Sequence, residues 1–314
     1  MLEIYDFKLI KSGRDIEVYD YRTKKILKGY HRKQREISQE EKANKLTRQE
    51  WEDIVEEWGC EEEKEKLHSE QKQKASSSIS RTRTNIRRLV NANPHLTHFL
   101  TLTFSYEMTE LAPANKIFNL AIRRIVHFHP YFQYIAVNEF QKDVDFHGNK
   151  KEHGGSVHYH LLCNLGPKDT DKDKVFMWER KFAVKYWRQG FVKITPVEHV
   201  TNLGVYLCKY LGKDMFDKRM FGKKKFFCSR TLERPVELTG EEAISFFNKY
   251  VQSKTPTFEK TFSSEYTGTV DYTVYSLDED VPVSKSGQYV EYRGHQRNTE
   301  RAEYVRWRSY RDTR

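Results

Sequence analysis

Residues 157–162 read Val-His-Tyr-His-Leu-Leu, and this stretch decides the fold that the sequence predicts. It is apolar, has high β propensity, and carries two histidines two positions apart. Side chains alternate between the two faces of a strand, so His158 and His160 share one face while Tyr159 points to the other. Imidazoles are common metal ligands. The stretch therefore predicts a buried strand with a metal site on one face.

The segments around this strand alternate between strand-like and helix-like patterns. Apolar, β-prone runs predict strands, and apolar residues at helical spacing predict helices. The predicted strands are Phe99–Phe104, Tyr134–Phe140, Val157–Cys163 and Phe191–Ile194, and the predicted helices are Asn115–Phe128, Val175–Tyr186 and Asn202–Lys213. This order is typical of the α+β class, with an antiparallel sheet and helices packed on it.

Composition divides the chain into three parts. Residues 1–75 are predicted to be a charged extension, with one or two hairpins between Leu2 and Tyr30 and an amphipathic helix from Trp51 to Trp58. Residues 76–235 form the main domain, which begins with a basic helix capped by a serine of residues 76–78. Residues 236–314 form an accessory region with one further strand, Thr269–Tyr275, and an arginine-rich tail from Arg297.

The net charge of the chain points to an anionic partner. It is +10 over 314 residues, which favours nucleic acid over an ordinary basic enzyme without such a partner. The four cysteines have no C-x-x-C spacing, which indicates a reducing compartment rather than a disulfide framework or a zinc knuckle. No apolar run approaches the ~20 residues of a membrane helix. We therefore expect a cytoplasmic protein without a membrane partner.

A pair of histidines two residues apart is weak by itself. With 12 histidines in 314 residues, chance gives roughly 0.5 such pairs per chain. A second pair, His127 and His129, closes a helical pattern, where residues two apart point to different sides and cannot bind one ion together. We interpret that pair as helix C-terminal histidines, which the helix dipole favours there. His158 and His160 lie in a strand instead, where the geometry allows chelation.

A third ligand is expected from the neighbouring strand. Glu139 ends the apolar run from Tyr134 and is an unusual charge there, although an exposed glutamate of an edge strand is the alternative. Two imidazoles with a hard carboxylate suit Mg²⁺ or Mn²⁺. Gln141 lies on the same face and is expected to support the ligands. Cys163 falls on the opposite face, which disfavours a zinc site of two histidines and a cysteine.

The predicted helix Asn202–Lys213 carries two tyrosines and two lysines, each pair one turn apart. Tyr206 and Tyr210 could simply pack in a core, but the neighbouring Lys209 and Lys213 make a purely buried face less favourable. A phenol has a pKa of about 10 and needs help to attack a phosphate. A metal ion and an ammonium group at the same phosphate supply that help. The product is a phosphotyrosine ester.

The three segments Phe99–Phe104, His158–His160 and Tyr206–Lys213, in this order, resemble the motifs of the HUH endonucleases. The chain is most similar to replication initiators of rolling-circle plasmids and single-stranded DNA phages, and the resemblance covers about residues 76–235. It implies a ferredoxin-like (RRM-like) sheet with the tyrosine helix over the histidines. It also implies that Tyr210 is the primary nucleophile and Tyr206 the second. Residues 226–230 also resemble these initiators.

Two acid-free stretches are candidates for binding DNA. One is the basic helix, and the other is the run from Lys218 to Leu232, where Phe226 and Phe227 could stack on bases. Solvated faces without a ligand are the alternative in both cases. The predicted DNA contacts are Arg81, Arg83, Arg87, Arg88, Lys223, Lys224, Lys225 and Arg230.

The sequence thus predicts a metal-dependent nickase and joiner of single-stranded or hairpin origin DNA in a bacterial host. It contains no G-x-x-x-x-G-K-[ST] motif, so DNA unwinding and synthesis are expected from a host helicase and a host DNA polymerase. Two alternatives remain open. One is another HUH enzyme, a relaxase or a transposase, and the other is a basic RRM-like module that binds nucleic acid without chemistry.

Overall fold

The computed structural model describes residues 3–28, 56–57, 61–141, 155–197, 200, 203–212, 223–279 and 288–289. Tyr210 is described in its backbone, and Lys213 lies outside the described residues. So do the arginine-rich tail from Arg297 and the helix predicted around Trp51, apart from residues 56 and 57. None of the helices in the described ranges has the length and apolar character needed to cross a membrane.

The elements are numbered along the chain. The N-terminal strands are β1 (Glu3–Tyr5), β2 (Phe7–Ser12), β3 (Asp15–Tyr21) and β4 (Ile26–Lys28). The middle of the chain contains α1 (Glu61–Asn91), β5 (His98–Phe104), α2 (Leu111–Phe128), β6 (Tyr134–Phe140), β7 (Val157–Cys163), α3 (Lys172–Phe182), a π-helical turn (Ala183–Trp187), β8 (Gly190–Pro196), α4 (Leu203–Gly212) and β9 (Phe226–Cys228). The C-terminal elements are β10 (Val236–Thr239), α5 (Gly240–Tyr250), β11 (Phe258–Ser264), β12 (Gly268–Ser276) and β13 (Gln288–Tyr289).

A five-stranded antiparallel sheet forms the centre of the main domain. Its strand order is β8-β5-β7-β6-β9. The succession β5-α2-β6-β7-α3-β8, with this order, is the split βαβ arrangement of ferredoxin-like proteins, and β9 extends it at one edge. The predicted α+β class with an antiparallel sheet and packed helices is therefore confirmed.

The two faces of this sheet are covered by different helices. On one face, the apolar stripe of α2, which includes Phe118 and Ile125, packs with Tyr159 of β7 and Trp187 of the π-helical turn. On the other face, α1 and α4 pack on a smaller apolar cluster that contains Phe99 of β5. The period of two residues in β7 thus sends alternate side chains to two separate cores.

A second sheet of six strands lies beside the first, with the order β11-β12-β3-β2-β10-β13. Its strands β2 and β3 come from the predicted N-terminal extension, and β10 to β13 come from the predicted C-terminal region. These two segments therefore build one sheet together, which the division by composition did not anticipate. The hairpin predicted between Leu2 and Tyr30 is present as β2 and β3, and the predicted strand Thr269–Tyr275 is present as β12.

The predicted start of the basic helix is wrong. Residues 76–78 lie inside α1, which runs without interruption from Glu61 to Asn91. The preceding segment is rich in Glu, Lys and Gln, which are good helix formers, so the helix extends through the serines instead of beginning at them. Thr82 shows this continuity, since its hydroxyl donates to the carbonyl of Ser78 at 2.8 Å.

Candidate metal and tyrosine site

The two histidines of β7 lie on the face of the sheet that α1 and α4 cover. Their ring centroids are 6.3 Å apart. The alternate residues of the same strand, including Tyr159 and Cys163, are buried in the core on the opposite face. Burial raises the pKa of the Cys163 thiol to about 12, which keeps it protonated. Cys163 is thus separated from the histidines by the sheet.

Glu139 and His160 form the polar centre of this face. Glu139 is the cross-strand neighbour of His158 in the pairing of β6 with β7. Its Oε2 lies 2.7 Å from Nε2 of His160, and both residues are buried. Glu139 therefore does not lie on an exposed edge, because β6 has a partner strand on each side.

Thr101 holds the other side of the His160 ring. It lies directly across from His160 in the pairing of β5 with β7, and its Oγ1 is 3.1 Å from Nδ1 of the ring. In a metal site, a histidine that binds through one nitrogen usually has the other nitrogen held by a hydrogen bond. Thr101 is placed to orient His160 in this way. The sequence analysis missed its role because pairing of β5 with β7 cannot be read from either strand alone.

The residues present fit a divalent cation in donor type. Two imidazole nitrogens and a carboxylate oxygen suit Mn²⁺ or Mg²⁺. Two ligand atoms at a right angle on an ion with bonds near 2.1 Å are about 3 Å apart, close to the 2.7 Å between Glu139 and His160. Among the described residues, however, no three His, Cys, Asp or Glu side chains already converge as a metal cluster. In this structure Glu139 and His160 bond to each other.

A polar cleft of about 430 Å³ opens beside His158, at the ends of β5 and β6. Thr103, the cross-strand neighbour of His158, lines it, and so does Gln141, which follows β6. Ser105, Tyr106, Glu107 and Ser156 supply further polar groups. The predicted supporting residue Gln141 is thus a wall of this cleft rather than a contact of the histidines.

The tyrosine helix α4 reaches the histidines through one aromatic ring. Tyr206 packs edge-on against Phe99, with ring centroids 5.0 Å apart. Phe99 in turn stacks on His160, with centroids 5.7 Å apart and an interplanar angle of 18°. Tyr210 follows one turn later on the same side of the helix. The ring of Tyr206 is therefore one residue away from the histidine cluster.

Lys209 lies beside Tyr206 on the surface of α4. Its side chain is exposed, and Nζ is 5.0 Å from the centroid of the Tyr206 ring. An ammonium group at this position adds positive charge next to the phenol. The structure brings together His158, His160, Glu139 and Tyr206 with Lys209 near them, while the side chain of Tyr210 and all of Lys213 lie outside its description.

Helix α4 is seated on α1 by a close approach at Gly204. A Cβ atom added to Gly204 would lie 2.8 Å from the Cα of Arg87. Cys208, one turn later, is buried, and burial raises the pKa of its thiol to about 11. The packing leaves Tyr206 and Lys209 on the outer part of the helix. The position of the tyrosines therefore depends on α1.

The arginines of α1 differ in their surroundings. Arg88 is buried, and its Nη2 donates to Glu17 of β3 at 2.6 Å. This removes Arg88 from the DNA contacts predicted from the sequence, because a guanidinium in a buried ion pair cannot reach a phosphate. Arg87 also donates to Glu17, at 3.1 Å, but is half-buried. Arg81 and Arg83 are exposed.

The basic run after α4 is only partly suited to the predicted role. Lys223, Lys224 and Arg230 are exposed, whereas Lys225 is half-buried, and burial lowers its pKa. Phe226 and Phe227 are buried in β9, which pairs with β6. The prediction that these two rings stack on bases is wrong, because the sheet covers both of them.

The other histidine pair is placed as the sequence predicted. Helix α2 ends at Phe128 with His127 in its last turn, and His129 follows as the capping residue. Nε2 of His129 is 2.8 Å from the hydroxyl oxygen of Tyr186. The pair therefore contributes to the end of a helix and not to the candidate site.

Comparison with known proteins concerns the same part of the chain. The family model for the replication-associated protein ORF2 matches residues 97–215, which include β5, both histidines and the tyrosine helix. This match confirms the resemblance of the segment to rolling-circle replication initiators and indicates a replication-associated protein. No curated protein and no solved structure matches the chain.

Proposed function

We propose that the protein is a metal-dependent, site-specific nickase and joiner of single-stranded DNA that starts rolling-circle replication. The observation that carries the proposal is the continuous contact from Glu139 and His160 through Phe99 to Tyr206. It lies within the segment similar to replication-associated proteins. A buried imidazole–carboxylate pair beside a tyrosine on a cationic helix suits phosphoryl transfer better than simple binding.

The residues that would hold the cation are His158, His160 and Glu139. A divalent ion bound by them would polarise the scissile phosphate and stabilise the charge on its oxygens. Thr101 orients the ring of His160, and Phe99 keeps α4 over the sheet. The cleft beside His158 offers polar groups to the DNA next to the reacting phosphate.

The covalent step exchanges one phosphate ester for another. The oxygen of Tyr210 attacks phosphorus, the bond from phosphorus to the 3′ oxygen breaks, and a 5′-phosphotyrosine ester forms. The phenol loses its proton and the departing 3′ oxygen gains one, so the products are the ester and a 3′ hydroxyl that can prime synthesis. Tyr206 is the second nucleophile, and attack by the 3′ hydroxyl on the ester rejoins the strand. Lys209 adds positive charge near the phosphate.

The wider process requires other proteins. Because the sequence has no P-loop motor, we propose that a host helicase unwinds the origin and a host polymerase extends the 3′ hydroxyl. These partners place the protein in the cytoplasm of a bacterial host. The DNA partner is a single strand or a hairpin at the origin.

The test is a denaturing gel with 3′-labelled single strands that tile the DNA carrying the gene, incubated with Mn²⁺. We label the 3′ end because the strand bound to the protein is the one downstream of the nick. We expect a protease-sensitive adduct that survives detergent and heat. It should be lost when His160 is replaced by alanine, when EDTA is added, and when Tyr206 and Tyr210 are both replaced by phenylalanine.

Tyr131→Phe is the matched control, because Tyr131 is 90 % exposed and lies on the other side of the domain from α4. It should form the adduct at the normal rate. An unchanged adduct in the double tyrosine variant would exclude the assigned nucleophiles. Binding of the strands without any adduct, with or without Mn²⁺, would favour the alternative of a binding module. A preference for strands from inverted ends of a mobile element would favour a transposase.

A further inference from the structure

Helices α1 and α4 enclose a groove of about 320 Å³ on the surface beside the tyrosines. Three cations line it: Arg83 and Arg87 from α1 and Lys209 from α4. The hydroxyls of Ser80 and Thr84 lie along the same wall. We name it the arginine groove. None of the described residues that line it is acidic, so its lining has the charge and the donors that an anion requires.

The floor of the arginine groove is set by the packing of two backbones. Gly204 of α4 lies so close to Arg87 that a Cβ there would be 2.8 Å from the arginine Cα. Below it, the thiol of Cys208 donates to the carbonyl of Arg83 at 3.8 Å. The groove is thus a fixed feature of the helix crossing and not a gap between mobile side chains.

The cations of the groove differ in how far they are neutralised. Arg87 donates to Glu17 at 3.1 Å and to the hydroxyl of Tyr272 at 3.3 Å, so its charge is shared with the second sheet. Arg83 is exposed and Lys209 lies over the ring of Tyr206. The groove therefore keeps positive charge at its open end, on the side nearer to the tyrosine.

We propose that the arginine groove binds a phosphodiester of the DNA strand next to the one that is cleaved. This inference rests on the proposed function and adds to it a specific place for the strand. Lys209 belongs both to the groove and to the surroundings of Tyr206, so a strand that enters the groove passes the tyrosine helix. Arginine suits this role because its guanidinium can donate two parallel hydrogen bonds to a phosphate. The contact positions the strand and reads no sequence.

The experiment measures how the affinity for a 3′-fluorescein-labelled single strand depends on salt, by fluorescence anisotropy. Each phosphate contact that is lost reduces the slope of log K against log salt by about 0.7 for a single strand. We expect Arg83→Gln to reduce the slope by about this amount for every sequence tested. Arg83→Lys should retain most of the slope, because it keeps the charge.

The matched control is Arg123→Gln, which removes the same charge from the exposed surface of α2, on the other face of the sheet. It should leave the slope unchanged. Equal slopes for Arg83→Gln and Arg123→Gln would overturn the inference. So would displacement of the strand by inorganic phosphate far beyond that by chloride at equal ionic strength, because the groove would then bind small anions.

The adduct gel separates this inference from the proposed function. If wild-type protein forms the adduct and Arg83→Gln keeps the normal salt slope, the groove assignment fails and the nickase proposal stands. If the slope falls as expected and wild-type protein forms no adduct, the groove binds DNA phosphates in a protein without nicking activity. Because Arg83 is exposed and makes no apolar contact in the core clusters, loss of folding does not confuse the result.

Discussion

The two faces of the five-stranded sheet are built from the same strands, but they do different work. The face under α2 and α3 is an apolar core in which Tyr159, Phe118 and Trp187 pack together. The face under α1 and α4 has a polar centre, where Glu139 and His160 lie inside an apolar surround. Since alternate residues of β7 serve both faces, stability and chemistry can be changed separately by substitutions at adjacent positions.

The largest expected effect is on the apolar face. Phe118 is fully buried and stacks on Tyr159 with ring centroids 4.3 Å apart. Phe118→Ala should reduce the free energy of unfolding by about 3–5 kcal/mol, because the lost contacts leave a cavity in the core. Urea unfolding measures this cost. At a temperature where the variant stays folded, the adduct should form normally. A selective loss of adduct in the folded variant would contradict the separation of the two faces.

The second effect concerns how the polar face is held to the rest of the molecule. Burial alone would raise the pKa of Glu17, but the hydrogen bonds and charge of Arg88, with the charge of Arg87, hold it below its ordinary value. A lowered pKa in the folded state stabilises the protein above the unfolded pKa of about 4.3, and this stabilisation is lost as the pH falls through the folded value.

We therefore expect Glu17→Gln to lose about 3 kcal/mol of stability at neutral pH, because two guanidinium groups lose their partner carboxylate. The difference from wild type should shrink as the pH falls below about 4.3. Urea unfolding at a series of pH values tests this. A constant difference at every pH would show that the ion pair contributes nothing through its charge. Phe118→Ala is the reference, since its cost involves no titrating group.

The third prediction compares two adjacent residues of β7. The hydroxyl of Tyr159 donates to Asn115 at 2.7 Å, so Tyr159→Phe should cost about 1 kcal/mol and leave the adduct unchanged. His160→Gln keeps a donor for Glu139 and should cost no more than about 1 kcal/mol, but it should abolish the adduct. Unfolding curves and the adduct gel are measured on both variants. If both lost stability and activity to the same extent, the alternation of roles along β7 would be refuted.

Local patterns carried most of the fold of the main domain. The strands β6 and β7 begin and end where the apolar runs predicted, and α4 falls within the predicted tyrosine helix. What the sequence did not reveal depends on pairing between distant segments. Glu17 and Arg88 are 71 residues apart, and nothing in the charge of either segment predicts that they meet.

The candidate site was predictable to the same degree and for the same reason. The period of two residues placed His158 and His160 on one face, and the unusual charge in β6 identified Glu139. Thr101 and Phe99 became visible only when β5 was seen to pair with β7. The mistaken stacking role of Phe226 and Phe227 has the same origin, since only the pairing of β9 with β6 shows that their rings are buried.

The smallest effect on stability is expected at Thr101, where the polar face controls the direction of a single ring. Thr101→Val keeps the shape of the side chain and removes the hydroxyl that lies 3.1 Å from Nδ1 of His160. The cost in unfolding free energy should be about 0.5–1 kcal/mol. The rate of adduct formation should fall by about 10-fold or more, because outer hydrogen bonds orient metal-binding histidines. The concentration of Mn²⁺ needed for half-maximal rate should rise as well.

Thr101→Ser decides whether the hydroxyl or the packing is responsible. Serine restores the donor and lacks only the methyl group, so it should recover most of the rate and of the Mn²⁺ response. If serine and valine were equally slow, the methyl group would be the important part of Thr101 and the ring would be held by packing alone. If neither substitution changed the Mn²⁺ response, His160 would not be a ligand. The polar face would then be a structural feature of the sheet, like the apolar face opposite.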